Sequence, residues 1–282
     1  MGRILAISSY VASGHVGLSA IIPALQAFGH EVIGVPSVVL SCHYGYTNVG
    51  GLSLDAVDLG SILDALRANG AFNEIDAIIT GYMGDAASVS RVEVELERIA
   101  DQHPDALYLC DPVIGDDPKG LYVTEDVAAA IRGKLVSHAD VITPNRFELN
   151  WLSGRDVRNA EDADRAADAI GAELAVITSV PTDNGFIANV SSDGDDALLC
   201  TAPRLERVPQ GTGDLFAALM LGHLLSGADH GEALALASAG VQVAISESVG
   251  SSELRLISCL ERVIAAPPAE LRPVYDEFGT SE

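Results

Sequence analysis

The chain has 282 residues, enough for one large α/β domain or two small ones. Hydrophobic residues make up 48%, which is ample for a sizeable core, yet no run approaches the roughly 18 unbroken apolar residues a membrane span needs. A formal charge of −24, with Lys119 and Lys134 as the only lysines, repels phosphate backbones and anionic lipid and argues against nucleic-acid and membrane partners.

In chain order, short β-rich runs alternate with longer helical patterns, which predicts βα units and a mostly parallel sheet. "RILAIS" (3–8) reads as a buried strand, followed by a helix near 16–29 and a strand over 31–40. The opening "MGRILAISSY" thus enters a strand directly, without the basic-then-apolar layout of a signal peptide, and Ala6 sits where a myristoylation signal wants Ser or Thr. A soluble, cytoplasmic protein is expected. A polar, glycine-rich excursion (41–51) precedes a helix at 53–70, a strand at 75–82, a helix at 85–102 and the strand "ALYLCDPV" at 106–113.

"IGDDPKGLYV" (114–123) is rich in Gly, Pro and charge and predicts a surface loop. A helix at 124–136, a strand at 139–145 and helices at 145–153 and 160–171 come next, then a strand at 173–180. Residues 185–200 predict an antiparallel hairpin turning at Asp193-Gly194, and the last third reads as helices over 214–226, 229–247 and 252–264. With no repeat and no linker, the expectation is a single α/β domain spanning 1–282, with a core over about 3–264 and a tail over 265–282. Its architecture is a central sheet with helices on both faces. Cys42, Cys110, Cys200 and Cys259 are scattered, with neither disulfide-framework nor zinc-ligand spacing, and are expected as reduced thiols.

In open α/β sheets, ligands bind beyond the carboxyl ends of the strands. Ser9, Gly81, Asp111, Asn145 and Thr178 each follow an apolar strand and fall at that edge. "GTGDLFAALML" places Gly211, Thr212, Gly213 and Asp214 at the mouth of a helix whose first amides lack intrahelical partners. Such a turn can cradle a phosphoryl group, and Asp214 could take a proton from an attacking hydroxyl. An aspartate N-cap after a glycine turn fits the same letters. Asn145 and Glu148 are three apart in "TPNRFEL", and the spacing alone favours a capping box over metal binding.

Asp111 before Pro112 could equally form a turn. Yet Asp111, Glu148 and Asp214 together crowd one rim with negative charge, which is costly without a cation; Mg²⁺ would supply it. No P-loop, GxSxG or HExxH occurs, and Phe216 stands where GxGxxG would need its last glycine. His15, His43 and His223 are isolated, and structural or exposed roles are expected for them.

With those residues assembled, the chain resembles the pyridoxal kinases of the ribokinase-like superfamily, from Ile4 to about Ile264. "SSYVASGHVG", "SVVLSCHYGY", "TGY", "CDPVIGD", "LYVTEDV", "ADVITPNRFELNWLSG", "VITS" and "GTGDLFAALML" follow in that family's order and spacing. The resemblance implies a three-layer αβα fold and ATP-dependent phosphorylation of the 5′-hydroxymethyl group of pyridoxal, with pyridoxine and pyridoxamine as further substrates. It implies Asp214 as general base and residues 211–213 as anion hole. Asp111, Asn145 and Glu148 would lie around the metal and triphosphate, and Thr143, Thr178, Ser179 and Thr212 would contact the nucleotide. Ser9, Val16, Tyr44 and Asp214 would meet the substrate, with Tyr122 in a loop covering the phosphates. ATP, Mg²⁺ and a monovalent cation such as K⁺ are the implied cofactors, and a homodimer the implied assembly.

The chain departs from the family on the substrate side, at Tyr10, Leu18, Leu40, Tyr44 and Val49. Two other readings therefore stand beside the first. One is a kinase of a related ring alcohol such as hydroxymethylpyrimidine; the other is a non-catalytic vitamer-binding protein.

Overall fold

The structure is a computed structural model and describes residues 1–182, 185–205 and 207–275. The first apolar run forms β1 (Arg3–Val11), whose side chains alternate between two cores, Leu5 and Ile7 into one and Ile4 and Ala6 into the other. Burial on both faces is what an inner strand of a parallel sheet requires. The chain continues through α1 (Leu18–Ala27), β2 (Glu31–Leu40), the short β3 (Gly51–Ser53) and α2 (Ala56–Ala68). Asp55 sets the start of α2 by accepting from the amides of Val57 and Asp58. Then come β4 (Ala77–Thr80), α3 (Ala86–Gln102) and β5 (Leu107–Cys110).

The loop expected over 114–123 contains a small hairpin, β6 (Gly115–Asp116) paired antiparallel with β7 (Gly120–Leu121). Its glycines explain it: Gly120 adopts φ +81°, and a side chain at Gly115 would strike Phe147 and the Gly120 carbonyl. Next are α4 (Glu125–Lys134), β8 (Val141–Ile142), α5 (Arg146–Ser153), α6 (Ala160–Ile170) and β9 (Leu174–Pro181). The antiparallel hairpin follows as β10 (Phe186–Ser192) and β11 (Ala197–Pro203), with Asp193 Oδ1 accepting from the amides of Asp195 and Asp196 in its turn.

The remaining elements are α7 (Thr212–Leu225), α8 (His230–Glu247), α9 (Leu260–Ile264) and β12 (Leu271–Pro273). The helix expected over 252–264 shrinks to a 3₁₀ turn at Ile257–Cys259 and the short α9. Serine hydroxyls compete for the backbone there: Ser251 Oγ accepts from Glu253 N at 3.1 Å and Ser248 Oγ from Arg255 N at 2.9 Å. Part of the expected tail is structural, since β12 pairs antiparallel with β11. Residues 276–282 of that tail lie outside the described residues.

The large sheet runs β12-β11-β10-β9-β8-β5-β4-β1-β2-β3. Its six inner strands, β9-β8-β5-β4-β1-β2, pair parallel, and the flanking strands pair antiparallel. Helices α2 to α6 pack on one face and α1, α7, α8 and α9 on the other, giving three αβα layers. The four cysteines are free thiols, three of them buried. Among the described residues, no helix is long and apolar enough to cross a membrane.

Candidate active site

Helix α7 is apolar on every side, and Leu215 through His223 are all buried between the sheet, α1 and α8. A helix held that way is a rigid mount, and its exposed end is where the chemistry gathers. Gly211 starts it at φ +96°, and a Cβ there would lie 1.8 Å from the His15 carbonyl, so only glycine fits. No side chain caps this end, which leaves the first-turn amides to an incoming anion. A Cβ on Gly213 would meet no atom within 4 Å, so the space before the turn is open.

Asp214 is the third residue of α7 and not its N-cap, which is Gly211. Burial pushes its carboxyl up to about 6, while the amides of Gly17 and of Asp214 itself hold it below what burial alone would give.

Asn145 and Glu148 do form the capping box. Asn145 Oδ1 accepts from Glu148 N at 3.0 Å, and Glu148 Oε2 accepts from Asn145 N at 2.9 Å. The box also roots the β6–β7 hairpin. Glu148 Oε1 accepts from Ile114 N at 2.8 Å and Gly115 N at 3.3 Å, and Asn145 Nδ2 donates to Gly115 O at 2.8 Å. Glu148 is only 3% exposed, and burial lifts its carboxyl to about 7 despite those amides. Asp111, just past β5, is pushed well above the ordinary carboxylate range by burial and then by the charges of Glu148 and Asp214. Thr143 Oγ1 is buried with no hydrogen-bond partner among the described residues.

These groups line one cavity of about 360 Å³ at the carboxyl edge of the sheet. It brings together Asp111, Thr143, Asn145, Glu148, Thr178, Ser179, Tyr122 and the whole Gly211–Asp214 turn. Its described lining holds the carboxylates of Asp111, Asp116, Glu148 and Asp214 and no Lys, Arg or His. A second hollow of about 500 Å³ shares Asp116, Asn145 and Ser179 with it and adds Arg146 and Arg204.

Among the described residues, the non-glycine positions with positive φ are Val113 at 45° and Ser179 at 60°, and both line the cavity. Strain of this kind persists where surroundings impose it, commonly at ligand sites. For Ser179 the support is Asn189, whose Oδ1 accepts from Ser179 N at 3.3 Å and whose Nδ2 donates to Ser238 Oγ at 3.1 Å.

Asp116, Val113 and Asn189 join the cavity without having been expected there. Asp116 has a signal in "VIGDD", but its composition points equally to solvent. Asn189 has none, being one polar residue in an alternating strand. Three expected substrate residues lie outside this cavity. Ser9 sits where the β1–β2 register shifts between Ser8 and Tyr10, and its carbonyl would lie 2.1 Å from a Cβ on Gly17. Val16 belongs to a small apolar cluster with Val11, Val38 and Leu40, and its Cγ1 would lie 3.2 Å from a Cβ on Gly211. Tyr44 is 66% exposed in the loop after β2.

A divalent cation suits the cavity, because acids that raise one another's proton affinity gain most from shared positive charge. Asp111 would be the acid left to meet such an ion. Glu148 is partly committed to amides, and Asn145, expected with them, has both side-chain polar atoms engaged in the cap and hairpin root. No group of three or more His, Cys, Asp or Glu that could hold a metal occurs among the described residues, so such an ion would rely on water and phosphate oxygens.

A phosphoryl group resting on the α7 amides would have Asp214 beside it to receive an alcohol's proton. A three-layer αβα fold that offers both at the carboxyl edge of its sheet defines the class as a ribokinase-like kinase. The family model described as phosphomethylpyrimidine kinase matches residues 13–255. The chain is 35% identical to a pyridoxal kinase of Corynebacterium diphtheriae over 93% of this chain and 95% of that one. It is 35% identical to the pyridoxal kinase of Homo sapiens over 78% of this chain and 76% of that one. Among solved structures, pyridoxal kinase from Leishmania donovani in complex with ADP and pyridoxamine is 31% identical with a TM-score of 0.91, covering 97% of this chain and 99% of that one. The chain belongs to this kinase family, on the side of its pyridoxal kinases.

Proposed function

We infer that the chain transfers the γ-phosphoryl group of ATP to the 5′-hydroxymethyl oxygen of pyridoxal, and of pyridoxine and pyridoxamine. The observation that carries this reading is the pairing of an uncapped glycine turn with a carboxylate lifted to about 6 on the same helical turn. Such a carboxylate is largely ionised at neutral pH yet more basic than a solvated one, as a general base should be. Asp214 takes the hydroxyl proton while the alcohol oxygen attacks in line, and the amides of 211–213 hold the migrating group.

The nucleotide lies along Thr143, Thr178, Ser179 and Thr212, and Tyr122 on the hairpin shields the phosphates from water. Ser9, Val16 and Tyr44 meet the ring. Asp111, with Glu148 behind it, would hold Mg²⁺, which when bound neutralises phosphate charge in a cavity whose described lining has no basic side chain. The resemblance to pyridoxal kinases also supports one domain, a homodimer and a cytoplasmic setting.

The second reading changes the acceptor to hydroxymethylpyrimidine. The description of the matching family model favours it, as does Tyr44 at a substrate position. ADP release measured across a panel of ring alcohols separates the two. Pyridoxal should give the highest kcat/KM, and a leading hydroxymethylpyrimidine would replace the first reading by the second. No substrate-dependent release with any ring alcohol would leave a binding protein.

A further inference from the structure

The loop over 41–50, which carries Tyr44, is tied down by a residue from the far end of the chain. Tyr46 Oη donates to Glu253 Oε1 at 2.5 Å, and His43 Nε2 faces the same oxygen at 3.5 Å. The latter is an electrostatic contact rather than a formed hydrogen bond. His43 Nδ1 accepts from the Gly45 amide at 3.0 Å, so its ring proton belongs on Nε2, towards the carboxylate. The two rings lie 4.9 Å apart and pack as one unit. Glu253 Oε2 is buried with no hydrogen-bond partner among the described residues, and a Cβ on Gly14 would meet it at 2.4 Å. A glycine with φ +98° is thus what makes room for the acid.

The same residue is joined to the phosphoryl socket through its backbone. Glu253 bridges Gln210, the residue before Gly211. The carbonyl of its neighbour Leu254 accepts from His15 Nδ1 at 2.8 Å, and the His15 carbonyl is the atom that excludes a side chain from Gly211. One residue therefore connects the ring-side loop, the Gly14–His15 turn and the edge of the socket. None of these contacts involves Thr143, Thr178, Ser179 or Thr212.

We propose that Glu253 is a positioning residue that latches the 41–50 loop to the phosphoryl socket and so sets affinity for the ring alcohol but not for ATP. The proposal rests on the kinase reading for what the loop covers, while the latch itself is readable without activity. Tyr46 is 41% exposed, so Tyr46→Phe removes the hydroxyl with little cost to the core.

The test uses the full chain as wild type, Glu253→Ala, Glu253→Gln, Tyr46→Phe and the Glu253→Ala/Tyr46→Phe double variant. Two measurements are made: limited chymotrypsin cleavage after the aromatic side chains at positions 44 and 46 without substrate, and KM for pyridoxal and for ATP. Losing a charge-assisted bond should raise both loop cleavage and pyridoxal KM by about tenfold, with ATP KM unchanged. Gln, whose amide oxygen still accepts from Tyr46, should recover most of the Ala loss. The double variant should be no worse than Glu253→Ala, because both changes break one contact. Unchanged cleavage, equal rises in both KM values, or additive losses would each overturn the latch. Should wild type phosphorylate no ring alcohol, the proposed function falls, and the cleavage comparison still decides the latch.

Discussion

Gly211 and Asp214 make the socket work through opposite properties. Gly211 is needed for what it lacks, since any side chain would collide with the His15 carbonyl. In the proposed mechanism Asp214 supplies a carboxylate made more basic by burial. Replacing Asp214 by Asn keeps the shape and removes the base. Turnover should fall by roughly 10²-fold or more while ATP binding, followed by titration, stays near wild type. In wild type, kcat/KM should fall as pH drops through about 6, because the protonated acid cannot accept the hydroxyl proton. Undiminished turnover in the Asn variant would remove Asp214 from the mechanism.

Asp214 is legible in the sequence because a glycine turn before an apolar helix is a local pattern. Its depth in the helix is not, since a small shift of the helix start separates an N-cap from the third residue. Glu148 shows another limit. The letters offer the cap and metal binding as alternatives; the fold shows the cap, and the same side chain roots the hairpin and lines the cavity.

At the scale of elements, β5, α5 and α7 each deliver an acid to the same edge, and the arrangement costs stability. Asp111 and Glu148 bind protons more readily in the folded chain than when unfolded, Glu148 between its ordinary 4.5 and about 7. Groups with raised folded-state values stabilise at low pH and lose that contribution as pH rises through the folded value. The metal-free protein should therefore lose stability from this cluster between about pH 4.5 and 7. Asp111→Asn removes a carboxyl that burial and its acidic neighbours make costly to ionise. Its Tm without Mg²⁺ at pH 7.5 should exceed that of wild type by roughly 2–4 °C, with the gap closing only as pH falls towards the ordinary aspartate value of 3.8. A lower Tm at pH 7.5 would mean the carboxylate is stabilising and the crowding argument is wrong.

Regular elements are the legible ones, because β1, α3 and α8 carry their periodicity in their own letters. The misread ones are decided by side chains at a distance or by competition. Serine hydroxyls end the helix expected from 252, and a glycine pair against Phe147 turns the 114–123 loop into a hairpin.

Across the whole molecule, the αβα layering follows from two-sided apolar strands alternating with helices, and that much can be read from the letters alone. The division of the site cannot. The cavity gathers residues from separate stretches between Asp111 and Ile245, whereas Ser9 packs against Gly17, Val16 lies in a small apolar cluster beside Gly211, and Tyr44 stands exposed. On the proposed assignment, that separation matches the sequence departures, which spare the nucleotide side and fall on the ring side. A net charge of −24 makes the same point globally, since the overall field disfavours a polyanion that arrives without cations. The most direct measurement is the identity of the product. After incubation with ATP, Mg²⁺ and pyridoxal, phosphorus–proton coupled NMR should find the new phosphate ester on the 5′-methylene of the ring. An unmodified methylene with ATP consumed, or an ester on another oxygen, would contradict the account.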